Sequence, residues 1–86
     1  MKFKSTEELQ QYLDKQFPVH TTDHGTIANW LRDNGFEYSD LTDNVVYASV
    51  ISERRLLTTT KLLARFFFTP DKLLNEIIVK QGIIAP

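Results

Sequence analysis

The stretch TTTKLLARFFFTPDKLLNEIIVKQGII, residues 58–84, carries the clearest periodicity in the chain. Its first part repeats apolar side chains at i, i+1, i+4 and i+5, the spacing of one helical face: Leu62, Leu63, Phe66 and Phe67. The second part repeats that spacing in Leu73, Leu74, Ile77 and Ile78. Thr69 and Pro70 between the two sets are typical of a helix N-cap and a first helical residue, and Gly82 is typical of a C-terminal stop. The stretch therefore predicts two short amphipathic helices joined by a tight turn.

This pattern resembles the helix-turn-helix of bacterial and phage DNA-binding proteins. When Thr60 is taken as the first position of the motif, Ala64 falls at the fifth, where a small residue lets the helices cross closely. The positions that are normally apolar hold Leu63, Phe67, Leu74 and Ile77. Phe68 departs from the pattern, because the turn usually carries glycine there and an aromatic residue is unfavourable at positive φ. The resemblance, over about residues 59–84, implies a second helix that enters the major groove.

The resemblance also assigns DNA contacts. The residues on the outward side of the second helix are expected to contact bases: Asp71, Lys72, Asn75 and Glu76. Phosphate contacts are expected from basic residues before and on the first helix: Arg54, Arg55, Lys61 and Arg65. One such unit buries little DNA surface, so specific binding implies a homodimer.

Length and composition indicate one folded domain over residues 1–86. Hydrophobic residues at 42% suffice for a modest core, and a charged fraction of 24% is too ordinary for a disordered chain. The chain has no cysteine, which excludes disulfides and thiolate metal sites and favours a cytoplasmic protein. The helix-turn-helix resemblance implies a bacterial or phage origin. Apolar runs of about four residues fall far short of the roughly 20 that span a bilayer, and polar residues interrupt the N-terminus. We expect neither a membrane segment nor a signal peptide.

Charge is divided unevenly between the two halves of the chain. Residues 1–43 hold four basic and eight acidic groups, whereas residues 44–86 hold six basic and three acidic groups. A mildly basic second half is compatible with one face that meets phosphate, although the net charge of the chain is only −1.

The first part of the chain predicts two further helices. Ser5 and Glu8 stand at the spacing of a capping box, and Pro18 ends the helix that they begin. A second helix is expected over residues 26–34, with Ile27, Trp30 and Leu31 on one face and Gly35 as its stop.

Residues 43–57 admit two interpretations. Val46, Tyr47, Val50 and Ile51 fit one helical face, so the segment is taken as a helix. A β-hairpin over residues 36–51 is the alternative, because the segment is rich in β-branched residues. The expected fold is mainly α, a single bundle of about five short helices with a C-terminal helix-turn-helix.

No catalytic constellation is visible, so we expect no enzyme and no cofactor. His20 and His24 have the spacing of a helical metal pair, but Pro18 and Gly25 flank them and no third ligand is nearby, which favours a solvated loop. Two functional hypotheses remain: a regulatory DNA-binding protein, and a protein interaction module that binds a partner or a second copy. The triplet Phe66–Phe68 bears on the second, because three successive helical side chains cannot share one face. Phe68 is then either in the core or at an interface.

Overall fold

A two-layer α+β fold is seen in the computed structural model, which describes residues 3–84. Its elements in chain order are α1 (Thr6–Gln16), α2 (His24–Asp33), β1 (Glu37–Tyr38), β2 (Val45–Arg54), β3 (Thr59–Phe68) and β4 (Leu74–Ile84). The strands form one antiparallel sheet in which each strand pairs with the next along the chain. α1 contacts β4 and α2 contacts β1. The predicted all-helical bundle is therefore wrong.

The first helix follows its sequence signals. The Ser5 side chain accepts a hydrogen bond from the backbone N–H of Glu8 at 3.1 Å, so the predicted N-cap is confirmed. Phe17 is the C-cap, directly before Pro18, where the helical region is disfavoured. Leu9 and Leu13 are buried on the inner side of the helix.

The second helix begins two residues before its predicted start, because Asp23 provides the cap. Asp23 Oδ1 accepts a hydrogen bond from the Thr26 backbone N–H at 2.8 Å. That bond, and then one from the Thr26 side chain, lowers the pKa of Asp23 below its usual value, with a smaller contribution from the charge of His24. Gly35 has φ of 77° and ends the helix as predicted, a conformation that favours glycine.

Residues 58–84 contain a β-hairpin where two helices were predicted. Every second residue of β3 is buried against the helices: Leu62, Ala64, Phe66 and Phe68. This is the period of a strand with one buried face. Phe67 and Phe68 of β3 pair with Glu76 and Leu74 of β4. Asn75, between these two partners, is therefore the extra residue of a β-bulge in β4. No helix-turn-helix exists in this segment.

The turn between β3 and β4 uses Thr69 and Pro70, the residues that in the sequence are typical of a helix start. Lys72 N donates to Thr69 O at 2.9 Å, and Thr69 N donates to Leu73 O at 2.8 Å. Proline after the first turn residue suits a tight turn as well as it suits a helical N1 position. Lys72 then has φ of 66°, in the left-handed region that closes such hairpins.

Residues 43–57 are extended, so their helical prediction is also wrong. Asp43 and Asn44 both have positive φ, 52° and 63°, as the two central residues of a type I′ hairpin turn require. β1 pairs with β2 through Glu37↔Ser49 and Tyr38↔Ala48. The alternative hairpin over residues 36–51 is the arrangement that the structure shows.

The core lies between the helices and the inner face of the sheet. Trp30 packs against a ring of aromatic side chains: Phe3, Tyr12, Phe17 and Phe36. Phe66 is fully buried and Phe68 is buried, which assigns Phe68 to the core, whereas Phe67 faces away from it. Among residues 3–84, neither helix has the length and apolar character needed to cross a membrane.

Candidate interaction surface

The side of the sheet that faces away from the helices has no protein layer over it within residues 3–84. We call this side the outer face and define it by the residues that alternate with the buried ones: Val45, Tyr47, Ser49, Ile51, Lys61, Leu63, Arg65, Phe67, Glu76, Ile78 and Lys80. Tyr47 is 54% exposed, and Ile51 and Leu63 are also exposed. Six of the eleven residues are therefore apolar or aromatic on a side that faces solvent.

The strand register arranges these residues in cross-strand rows. One row joins Val45, Phe67 and Glu76, and the next joins Tyr47, Arg65 and Ile78. The third row joins Glu37, Ser49, Leu63 and Lys80, and the fourth joins Ile51, Lys61 and Gly82. The β3 position of the rows is apolar in the first and third, Phe67 and Leu63, and basic in the second and fourth, Arg65 and Lys61, while Glu37, Glu76 and Lys80 lie on the edge strands.

Arg65 contacts Tyr47, its neighbour in the second row. Its Cζ atom lies 5.8 Å from the centre of the Tyr47 ring, which is cation–π contact distance. Leu63 leans toward β4, since a Cβ added to Gly82 would lie 3.4 Å from Leu63 Cδ1. Beside them, an open depression of about 440 Å³ extends to Glu37 and Ser49. The outer face thus has a depression, and it carries both apolar and charged side chains.

The β2–β3 hairpin tip, residues 54–58, adds two exposed leucines at one end of this face. Leu56 is 96% exposed and Leu57 is 69% exposed. Arg55 N donates to Thr58 O at 2.8 Å, and Arg55 Nε lies 2.7 Å from Glu53 Oε1. The turn is therefore ordered by polar contacts, and these contacts do not require leucine at either position.

The free edge of β4, in contrast, is covered along much of its length. The side-chain amide of Gln10 donates to Ile77 O at 2.9 Å and accepts from Val79 N at 3.0 Å. Closer to the start of β4, His20 N donates to Leu74 O, and Leu74 N donates to Thr22 O at 2.7 Å. A strand with its edge groups satisfied is a poor template for another chain. The face, and not this part of the edge, is the available surface.

The residues that the sequence assigned to DNA contacts do not form one surface. Asp71 and Lys72 lie in the β3–β4 turn, where Lys72 Nζ donates to Asn44 Oδ1 at 3.2 Å. Asn75 is the bulge residue, and its Oδ1 lies 3.3 Å from His20 Nε2. These three are at the end of the sheet opposite the hairpin tip, about 30 Å away along β3. Their assignment to one recognition helix is wrong.

The other predicted residues divide between two places. Arg54 and Arg55 lie at the hairpin tip, whereas Lys61, Arg65 and Glu76 are on the outer face. Lys61 and Arg65 are thus on one side of a strand, where four residues separate them by about 13 Å, and not on adjacent turns of a helix.

The predicted site lacks five residues that contribute to this surface: Glu37, Tyr47, Leu63, Ile78 and Lys80. An alternation of buried and outward positions along residues 45–51 and 61–68 is the signal that identifies most of them.

The two histidines are not on one helix, since His20 precedes α2 and His24 is its first residue. Within residues 3–84, no group of three or more histidine, aspartate or glutamate side chains is arranged to hold a metal ion. Comparisons with protein-family models, curated proteins and solved structures find no match.

Proposed function

We propose that this protein is a protein interaction module that binds a partner on the outer face of its sheet. The observation that carries the proposal is the apolar character of outward positions on three adjacent strands. An antiparallel sheet with one solvated side normally places polar residues on that side. Here Tyr47, Leu63 and Ile78 lie in the central rows, and Val45, Ile51 and Phe67 extend the apolar area toward both ends.

The surrounding charges fit this role. An interface typically has an apolar centre and a polar rim that stays in contact with solvent. Glu37, Glu76 and Lys80 lie on the edge strands, where they surround the apolar rows with both signs of charge. Exposed apolar side chains clustered on one face, as Tyr47, Ile51 and Leu63 are, are typical of binding surfaces. The module needs no catalytic group, cofactor or metal.

Site-specific photo-cross-linking tests this function. Tyr47 is replaced by p-benzoylphenylalanine, which keeps an aromatic ring at the centre of the face, and the protein is irradiated in cells of the organism that encodes it. The control carries the same group at Lys15, an exposed residue in the last turn of α1. We expect a discrete adduct from position 47 that disappears when Leu63→Asp is added, and none from position 15. If position 47 gives no adduct of any mass, the proposed function fails.

DNA binding remains a second candidate, through the sheet and not through a helix-turn-helix. The observation that favours it is the presence of Lys61, Arg65 and Lys80 on the same face as Tyr47. Basic side chains beside an aromatic platform suit single-stranded nucleic acid, where bases stack on rings and phosphates meet cations. Fluorescence anisotropy with single-stranded and duplex DNA across a salt series tests it. Arg65→Ala should lower affinity for all sequences and reduce the salt slope by about 1.

A further inference from the structure

We propose that the partner of the outer face is a second copy of this chain. This inference rests on the proposed function and names its partner. The two sheets pack outer face to outer face, related by a twofold axis that runs parallel to the strands, between β2 and β3. A closed twofold dimer needs a self-complementary patch, in which residue i meets residue j and j meets i. Three of the four cross-strand rows of the outer face meet this condition.

The consequences of this axis follow from the register. Rotation about it places β2 opposite β3 of the second copy, and β1 opposite β4 of the second copy. Each row then meets itself in reverse order. Tyr47 faces the second copy's Arg65, and Val45 faces its Phe67. Glu37 faces the second copy's Lys80, because both lie in the row of Ser49 and Leu63.

Opposite charges therefore meet at both edges of the dimer. Glu37 lies about 7 Å from the axis, one and a half strand spacings. Packed sheets cross at about 30°, which displaces the facing residue by about 4 Å at that radius. A lysine side chain spans this displacement, so the pair between Glu37 and Lys80 forms twice, once on each side. Arg65, which already contacts its own Tyr47 ring at 5.8 Å, meets a second ring.

The other twofold axis in the plane of the face, perpendicular to the strands, gives a poorer match. It exchanges the second and third rows, so that Arg65 faces the second copy's Leu63 and Ile78 faces its Lys80. Three cations per copy would then face apolar side chains, because the exchange of the first and fourth rows also sets Lys61 against Phe67. The parallel axis leaves one cation per copy in this position, Lys61 against Ile51, so its desolvation cost is smaller. The register of the sheet thus distinguishes the two axes.

The parallel axis also accounts for the hairpin tip. Because the axis follows the β2–β3 hairpin, both tips lie side by side at the same end of the dimer. Leu56 and Leu57 then have apolar neighbours in the second copy, whereas in one chain they are 96% and 69% exposed.

The footprint of the face can be compared with the area that a dimer buries. Three ten-residue strands present about 14 Å by 33 Å, or roughly 460 Å² before side-chain relief is counted. Specific interfaces bury about 800 Å² of accessible surface per partner, so the dimer requires the side-chain relief and the hairpin tip as part of its buried area.

Sedimentation of the purified protein tests the inference. We expect a species of twice the 10.0 kDa chain mass that dissociates reversibly on dilution. Leu63→Asp should give monomer only while retaining the far-ultraviolet circular dichroism of the parent, because Leu63 is outside the core. A monomer at all concentrations overturns the inference. The proposed function survives that result if position 47 forms an adduct with another protein in cells.

A charge-reversal cycle tests the axis. Glu37→Lys and Lys80→Glu should each weaken the dimer about tenfold, since each replaces two attractive pairs by two repulsive ones. A mixture of the two single variants should associate as tightly as the wild type, because both pairs are restored between unlike copies. Glu76→Lys, with the same change in charge on the same face but no facing lysine, is the control and should change the dissociation constant less than about twofold. If the mixture shows no recovery, the parallel axis is wrong.

Discussion

Successive side chains of β3 point alternately to the core and to the outer face, so two neighbouring phenylalanines should differ sharply in their contribution to stability. Phe66 is 0% exposed in the core cluster, whereas Phe67 lies half-buried on the outer face. Truncation of a fully buried phenylalanine to alanine costs about 3–5 kcal/mol, from lost burial and the cavity that remains. Phe67 is partly buried outside the core, and a cross-strand side chain of this kind contributes about 1 kcal/mol. Phe66→Ala should therefore destabilise the fold several times more than Phe67→Ala.

The magnitude matters because the whole domain has little stability to lose. At about 0.05–0.15 kcal/mol per residue, a chain of this length is stable by about 4–13 kcal/mol. Phe66→Ala removes a large part of that and can leave no folded baseline. Phe66→Leu is the milder companion, with an expected loss of about 1 kcal/mol, and Phe67→Leu should be close to neutral.

Urea unfolding followed by circular dichroism measures all four variants, and linear extrapolation gives the free energy of unfolding. The measurement is made at low protein concentration, so that self-association does not add to stability. Equal losses in the free energy of unfolding for Phe66→Ala and Phe67→Ala would contradict the assignment of Phe66 to the core and Phe67 to the outer face. A greater loss for Phe67→Ala would support the helical face that the sequence analysis predicted.

Three other changes probe the scaffold. Gln10→Ala should cost about 1–3 kcal/mol by removing two hydrogen bonds from the edge of β4, and hydrogen exchange of the Val79 amide should become faster. Gly35→Ala should lower the free energy of unfolding by about 1–2 kcal/mol because its φ is 77°, whereas Gly25→Ala, in the first turn of α2, should be neutral or slightly stabilising in the same urea titration. The stability that Asp23 contributes should be present above pH 4 and be lost as the pH falls through its lowered folded-state pKa, so Asp23→Asn should flatten the acid limb of a pH–stability curve.

Local signals predicted the helices well, because helix ends depend on contacts within one turn. Ser5, Glu8 and Pro18 define α1, and Gly35 ends α2, in the structure as in the sequence analysis. The start of α2 was placed two residues late because Asp23 was not considered as a cap and Gly25 was taken as a helix breaker. Glycine in the first turn is tolerated when a carboxylate cap orders that turn.

The sequence does not predict the strands because their outward positions also hold apolar residues, so apolar and polar residues do not alternate along them. Leu63 and Phe67 stand next to the buried Leu62 and Phe66, and the four together reproduce a helical spacing. In β4 the bulge at Asn75 places Leu74 and Ile77 three residues apart on the buried side, which is again a helical interval.

The same residues that hide the strand pattern are those that form the proposed interaction surface. A sheet with a polar outer side would have shown its period in the sequence and would have had no apolar face to bind a partner. The error in the fold prediction and the proposed function therefore have one physical origin: the apolar side chains at outward positions.

The most direct test of the central claim is the cross-linking yield at position 47 in cells. If the outer face binds a protein, p-benzoylphenylalanine at this position gives a discrete adduct that Leu63→Asp abolishes, while the same group at Lys15 gives none. If position 47 gives no adduct, or gives one that Leu63→Asp leaves unchanged, the outer face is not the binding surface and the account is contradicted.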